Sequence, residues 1–250
     1  MIDIHCHLAP NISDGPNSPE DSLVMLKKAA EDGVTYITAA AHYGKYLDEL
    51  KASVASLGEE AKRLGITLHP TFEYDFVHLD EVKPEEMQFV GPNCRYILLD
   101  FHRSNLPYSA PMRLFELMEN NIGVVIVHPE KLFRTDMIPK LQQFVDGGIV
   151  LQVNAVSFLS DSPPRIRRMA HQLMRKGLVQ VVSSDAHRKA GTRRYAMAEA
   201  RKVLEKTYGK QTAELVFDIN PQRILEDKPP FEMPVHLNWW EKLRRHWTGR

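Results

Sequence analysis

The sequence predicts an α/β protein folded as a distorted seven-stranded parallel (β/α)7 barrel of the TIM-like kind. Three observations predict it. Short apolar runs alternate with helical segments, the runs are continuously apolar and not half-polar, and six of the seven end in His, Asp or Glu. Continuous apolar runs belong to strands covered on both faces, the mark of a parallel sheet between layers of helix. An open doubly wound sheet satisfies the first two observations equally well. The third decides, because ligand-type residues strung along an open sheet lie too far apart to cooperate. A barrel gathers them in one ring at its C-terminal mouth.

The chain has 250 residues, 32 basic and 32 acidic, for a formal net charge of zero. A neutral balance gives no field to draw it to nucleic acid. Two cysteines, Cys6 and Cys94, exclude a disulfide framework and suit a reducing cytoplasm. A strand beginning at Ile2 predicts no signal peptide, and no apolar run approaches the ~20 residues of a membrane span. The expectation is a cytoplasmic protein, one barrel over residues 1–227 with a basic, aromatic tail over 228–250.

In order, Ile2 to His7 reads as a strand. Its two histidines, two residues apart, share a face because side chains alternate. Ser18-Pro19-Glu20-Asp21 starts a helix, with Ser as cap, Pro at the first helical position and acids at the positive end of the dipole. That helix stops at Gly33, and Val34 to Ala41 is a second strand ending in His42. A helix over about Leu47 to Leu64 stops at Gly65, before a strand, Ile66 to Phe72, that ends in Glu73. The run to Leu99 ends in Asp100, and a helix from about Pro111 to Asn120 leads to Gly123. Val124 to Val127 ends in His128. After a helix reaching Gly147-Gly148, Ile149 to Val153 ends in Asn154, the strand without a charged end. A helix from about Pro163 to Lys176 precedes Leu178 to Ser184, which ends in Asp185-Ala186-His187. Beyond, the chain is helical to about Glu226.

Any one of these residues has an ordinary structural use, since a strand-end Asp often caps the next helix. Together on one rim they concentrate charge at a cost that a cation would offset. Mixed carboxylates and imidazoles without thiolate suit Mn, Fe, Co or Zn. Gln152 and Asn154 either line the pocket or hydrogen-bond a ligand.

The combination His5-Cys6-His7-Leu8, Asp14-Gly15-Pro16, His42, Glu73, His128-Pro129-Glu130 and Ser184-Asp185-Ala186-His187 resembles the PHP (polymerase and histidinol phosphatase) superfamily. Within it, these motifs look most like the bacterial capsule-biosynthesis protein-tyrosine phosphatases, from residue 2 to about Asn220-Pro221. The resemblance implies a PHP fold and two or three divalent ions, manganese foremost. It implies that His5, His7 and Asp185 hold one ion, that Glu73 bridges to a second completed by Asp100 and His128, and that Asp14, His42 and His187 hold a third. It further implies hydrolysis of phosphotyrosine by metal-activated hydroxide, on a bacterial tyrosine kinase that regulates capsular or exopolysaccharide production.

Two departures stand out: Asp100 where relatives carry Glu, and Lys131 where they carry Arg after His-Pro-Glu. Lysine supplies charge without a bidentate fork. Arg134, one helical turn on, is the expected substitute, with Arg193 as a second phosphate-gripping group and Arg188 and Arg194 nearby. Neither cysteine heads a C-x5-R loop, since Ile12 follows Cys6 and Asp100 follows Cys94 at the sixth position, so both are bystanders. A small-molecule phosphomonoesterase of the histidinol-phosphate kind and a non-catalytic interaction module remain as alternatives. Trp239, Trp240 and Trp247 fall among Lys242, Arg244 and Arg245, a pattern for peripheral attachment at the inner membrane face, for docking a partner, or for packing on the barrel itself.

Overall fold

The apolar runs form seven strands: β1 (Ile2–Cys6), β2 (Tyr36–His42), β3 (Thr67–Asp75), β4 (Tyr96–Asp100), β5 (Gly123–Val127), β6 (Val150–Asn154) and β7 (Val181–Ser183). The structure is a computed structural model and describes residues 1–102 and 106–236. The strands lie in the order β1 to β7, each parallel to the next. Helices cover the outside: α1 (Pro19–Glu31), α2 (Leu47–Ser56), α3 (Gly58–Arg63), α4 (Ala110–Glu119), α5 (Pro129–Leu132), α6 (Ile138–Asp146), α7 (Pro164–Arg175), α8 (Met197–Tyr208), α9 (Lys210–Glu214) and α10 (Asn220–Leu225). This is the predicted α/β barrel.

Alternation sorts the apolar residues into two layers. Ile2, Ile4, Ala40, Leu98, Val125, Val127, Val150 and Val181 fill the barrel interior. Cys6, Ile37, Ala39, Ile97, Leu99, Val124, Ile126, Leu151 and Val153 point out against the helices. Helix α1 shows how that outer layer is built. Ser18 Oγ accepts from the Asp21 amide at 3.2 Å, Pro19 opens the first turn, and Met25, Leu26 and Ala29 bury one stripe.

One register fault aims the first histidine. Asp3 pairs with Ile37, but Cys6 pairs with Ala39, so three steps along β1 match two along β2. The extra residue is a β-bulge, and it turns Ile4 and His5 to the same, inner side. Cys6 then faces outward, where burial pushes its thiol pKa well up. Asp3 also lies outside the barrel wall and closes the bulge. Its carboxylate accepts from the amides of His5 (3.3 Å) and Ser184 (3.0 Å) and from the Tyr195 hydroxyl (2.7 Å).

Among the described residues no ladder pairs β7 with β1. The seam is held instead at its C-terminal end, where Asp185 N donates to His5 O (2.8 Å) and His7 N to Ala186 O (2.9 Å). The barrel therefore closes through the segments that carry His5, His7 and Asp185.

The single helix expected over 47–64 and the strand expected over 178–184 are corrected. The helix predicted over 47–64 breaks at Leu57 into α2 and α3. Gly33, Gly65, Gly148 and Gly177 take the expected left-handed turns (φ 81°, 72°, 95° and 71°), but ahead of β5 Asn121 does so (φ 56°), not Gly123. Gly123 is needed because a Cβ there would strike the Tyr96 ring. Strand β7 is shorter than predicted, because the Gln180 side chain takes the Leu151 amide and the Gln180 carbonyl accepts from Asn220. The described start of the tail lies on the barrel: the Phe231 amide bonds Asn220 Oδ1, the His236 amide bonds Arg175 O, and Met233 is buried. The three tryptophans lie outside the described residues.

Losing the Asp3 carboxylate orphans three buried donors. Asp3→Ala is expected to lower unfolding stability by about 2–4 kcal/mol in urea titrations, and Tyr195→Phe by about 1 kcal/mol.

Candidate metal centre

At the C-terminal mouth the expected residues converge on Glu73, which is fully buried at the end of β3. Its Oε2 lies 3.0 Å from His7 Nε2, 3.4 Å from His5 Nε2 and 3.3 Å from His42 Nδ1. Its Oε1 lies 3.0 Å from His128 Nε2. Burial pushes the Glu73 carboxyl up, yet the charge of His5 and the hydrogen bonds of His128, His5 and His7 prevail and hold it well below the carboxylate range.

Three sets of donor atoms lie close enough to share a cation: His5, His7 and Glu73; Glu73, Asp100 and His128; and His7, Asp14, His42 and His187. Asp185 completes the first side of the ring, with Oδ1 3.6 Å from His5 Nε2 and 3.9 Å from His7 Nε2. Asp14 faces His7 Nδ1 at 3.2 Å, His42 Nε2 at 3.5 Å and His187 Nε2 at 3.1 Å. The rings of His7 and His187 stack at 3.8 Å.

The donor set suits a divalent ion on two counts. Imidazole nitrogens and carboxylate oxygens converge within reach of a shared cation. His7 Nδ1, Asp14 Oδ1 and His128 Nδ1 are buried without a hydrogen-bond partner among the described residues. Such orphans are costly unless a cation takes the lone pairs. Electrostatics agree. His187 is pushed down to about 4, by burial first and then by His7 beside it. Burial also presses His5 down, but Glu73 and Asp185 outweigh it and lift the imidazole to about 9, so an unfilled site holds a proton where a metal would sit.

The backbone is bent to present these groups. His128 (φ 36°) and Asp185 (φ 47°) are non-glycine residues in the left-handed region, at a cost of order ~1–3 kcal/mol each. Asp14 rides a loop closed by Asn11 N to Pro16 O (2.8 Å), and a Cβ on Gly15 would collide with the Ala9 carbonyl. Arg188 clamps that loop through the carbonyls of Asp14, Gly15 and His187, which makes it a brace.

An outer chain of amides orients two of the converging groups. His5 Nδ1 meets Gln152 Oε1 (2.9 Å), Gln152 Nε2 donates to Asn154 Oδ1 (2.9 Å), and Asn154 Nδ2 donates to Asp185 Oδ2 (2.5 Å). With Nδ1 bonded to Gln152, His5 turns its Nε2 toward Glu73. Glu130, buried beneath, accepts from the Asn154 amide (3.1 Å) and Ser157 Oγ (2.6 Å).

The cationic expectations divide. Lys131 Nζ sits 2.7 Å from Asp185 Oδ2 and Arg193 Nη2 sits 2.9 Å from Asp14 Oδ2, both at the edge of the ring. Burial opposes the charge on Lys131, but Asp185 and Glu130 prevail and raise its pKa. Arg134 is not brought there. Helix α5 ends after one turn, Phe133 is extended and buried, and Arg134 turns outward, 79% exposed and paired with Asp136. Arg194 is engaged by Glu199.

Sequence reasoning passed over His102 and Asp3. His102 Nδ1 meets Asp100 Oδ2 at 2.6 Å, and its amide donates to Asp100 Oδ1 at 3.0 Å. Asp100-Phe101-His102 repeats the Asp-x-His of Asp185-Ala186-His187, which was the available signal.

A family model described as capsular polysaccharide synthesis, CpsB/CapC, matches residues 1–226. The chain is 29% identical over 243 residues to the tyrosine-protein phosphatase YwqE of Bacillus subtilis (strain 168), covering 94% of this chain and 95% of that one. It is 25% identical over 243 residues to the tyrosine-protein phosphatase CpsB of Streptococcus pneumoniae, covering 91% and 99%. A crystal structure from work on YwqE and CpsB, described as unique metal-dependent tyrosine phosphatases, superposes with a TM-score of 0.84 at 24% identity, over 94% of this chain and 98% of that one.

Two outcomes are expected in calorimetry. Loading the metal-free protein with Mn at pH 7.5 should release at least one proton, seen as an enthalpy that depends on the buffer, with affinity rising as pH approaches 9. A buffer-independent enthalpy contradicts this. Gln152→Leu, which frees the His5 ring, should weaken metal binding about 10–100-fold.

Proposed function

The chain belongs to the CpsB/CapC capsular polysaccharide synthesis family, and on that premise we propose that it is a metal-dependent protein-tyrosine phosphatase. Its substrate would be phosphotyrosine on a bacterial tyrosine kinase that governs capsular or exopolysaccharide production. The observation that carries the reading is the ring of imidazoles and carboxylates around Glu73, with Lys131 and Arg193 at its edge. The names of YwqE and CpsB support it from outside.

On this reading the centre holds two or three divalent ions, manganese foremost. His5, His7 and Asp185 would serve one position, Asp100 and His128 a second with Glu73 shared, and Asp14, His42 and His187 a third. When bound, such ions polarise phosphoryl oxygens and make a nucleophile of water near neutral pH.

The protein's own groups do the rest. Lys131 and Arg193 offer donors to the phosphoryl oxygens not engaged at the centre, where charge builds up during displacement. Asn154 and Lys131 together hold Asp185 Oδ2, leaving Oδ1 to face the ring. A tyrosine leaving group has a pKa of ~10, well below that of an aliphatic alcohol, so it departs with little help from a general acid. No side-chain nucleophile is required, and Cys6, outward-facing and buried, offers none.

The protein acts in the cytoplasm on this reading, with its kinase substrate as partner. Among the described residues no helix is long and apolar enough to cross a membrane. Docking on a membrane surface or partner would fall to the tail beyond residue 236.

Protein loaded with Mn should release phosphate from a phosphotyrosine peptide, much faster than from a phosphoserine peptide, and lose that activity on chelation. His128→Ala should lower kcat/KM by more than about 10²-fold, beyond the loss of an outer hydrogen bond to a ligand, while circular dichroism stays unchanged. No phosphate release with metal bound would point to a non-catalytic module. A preference for a small phosphomonoester would move the substrate class.

A further inference from the structure

Beside the ring, between the segment after β6 and the loop after β7, lies a cleft of about 220 Å³. Val156, Pro163 and Ile166 give it an apolar lining, and Lys131, Arg193 and the carboxylate of Asp161 line it too. Lys131 and Arg193 are also the residues paired with Asp185 and Asp14 of the ring, so the cleft borders the centre.

We propose that this cleft is the leaving-group subsite and takes the phenyl ring of an aryl phosphate whose phosphoryl group lies at the centre. The proposal rests on the phosphatase reading and says which phosphate esters the site prefers. The pairing of apolar lining with those two cations carries it. An aryl phosphate is a dianion joined directly to a flat apolar ring, and the cleft combines apolar lining with two cations that reach the carboxylates of the ring. Burying the ring excludes water from one face and adds contact area that an alkyl phosphate lacks. A serine ester, with one methylene before its backbone, leaves that lining uncovered.

Two of the apolar lining side chains are only half-buried. Ile166 is half-buried in the first turn of α7, and Val156 is half-buried in the short turn after β6. Neither belongs to the converging ligand-type groups. Each is open to substitution without disturbing them, and a serine in the first turn of a helix keeps good local hydrogen bonding.

The test separates this inference from the phosphatase reading by measuring binding without turnover. Phenylphosphonate and methylphosphonate are titrated into Mn-loaded wild-type protein, Ile166→Ser and Val156→Phe. The first variant strips the apolar lining and the second fills the cleft. Wild-type protein should bind phenylphosphonate at least about 10-fold more tightly than methylphosphonate, within the range a hydrophobic pocket discriminates. Both variants should bring that ratio close to one and leave the methylphosphonate affinity within about twofold. Equal affinities in the wild type, or a ratio that survives both substitutions in folded protein, would overturn the proposal. Failure of the phosphatase reading looks different: the binding ratio persists, but the loaded wild-type protein releases no phosphate from phosphotyrosine. On substrates, KM for both free phosphotyrosine and a phosphotyrosine peptide should rise in both variants with kcat unchanged. A rise for the peptide alone would assign the cleft to a residue flanking the tyrosine, and the inference would be wrong.

Discussion

The mouth of this barrel depends on one buried carboxylate. Glu73 touches four imidazoles, three from β1 and β2 and their ends and one from the end of β5, and it is sealed from water. A carboxylate in such a place is unstable by itself, since a charge taken out of water needs close partners. The imidazoles supply part of that compensation, and His5 is lifted to about 9 in doing so. Imidazole nitrogens and carboxylate oxygens still crowd together, and three buried donor atoms of His7, Asp14 and His128 stay unmatched. A cation resolves both problems at once, which makes the centre better satisfied filled than as protein alone.

Holding that arrangement falls to features that weaken the scaffold locally. A bulge in β1 swings His5 inward, Asp3 caps it, and the β7–β1 seam is closed by the backbone of the ligand-bearing segments. His128 and Asp185 leave their strands in left-handed conformations. Strain of this kind persists only where neighbours over-determine it. Here the neighbours are the Gln152–Asn154 chain and Glu130 beneath it.

Much of this was legible in the residues. Strand interiors and their polar ends are local patterns, so the barrel and the gathering of His5, His7, His42, Glu73, Asp100, His128 and Asp185 at one mouth could be read directly. Other features depend on pairing and could not. A bulge is a mismatch between two strands and has no signature within Ile2 to His7 alone. Asp3 reads as one more polar residue until Tyr195 and Ser184 are seen against it. Helical spacing puts Arg134 one turn beyond Lys131 on the same face, but α5 ends after a single turn and buried Phe133 turns the chain away. His102 was visible as a second Asp-x-His, but its value lay in binding the shortened Asp100, which only the fold reveals.

The central claim is that Glu73 joins two sets of metal donors into one centre. Metal content per chain, measured by elemental analysis after manganese loading and desalting, tests it most directly in wild-type protein and Glu73→Gln, with folding checked by circular dichroism. The account predicts two or three ions in the wild type and at most one in the folded variant, because the amide removes the shared charge from both sets. Equal metal content in the two proteins would contradict it.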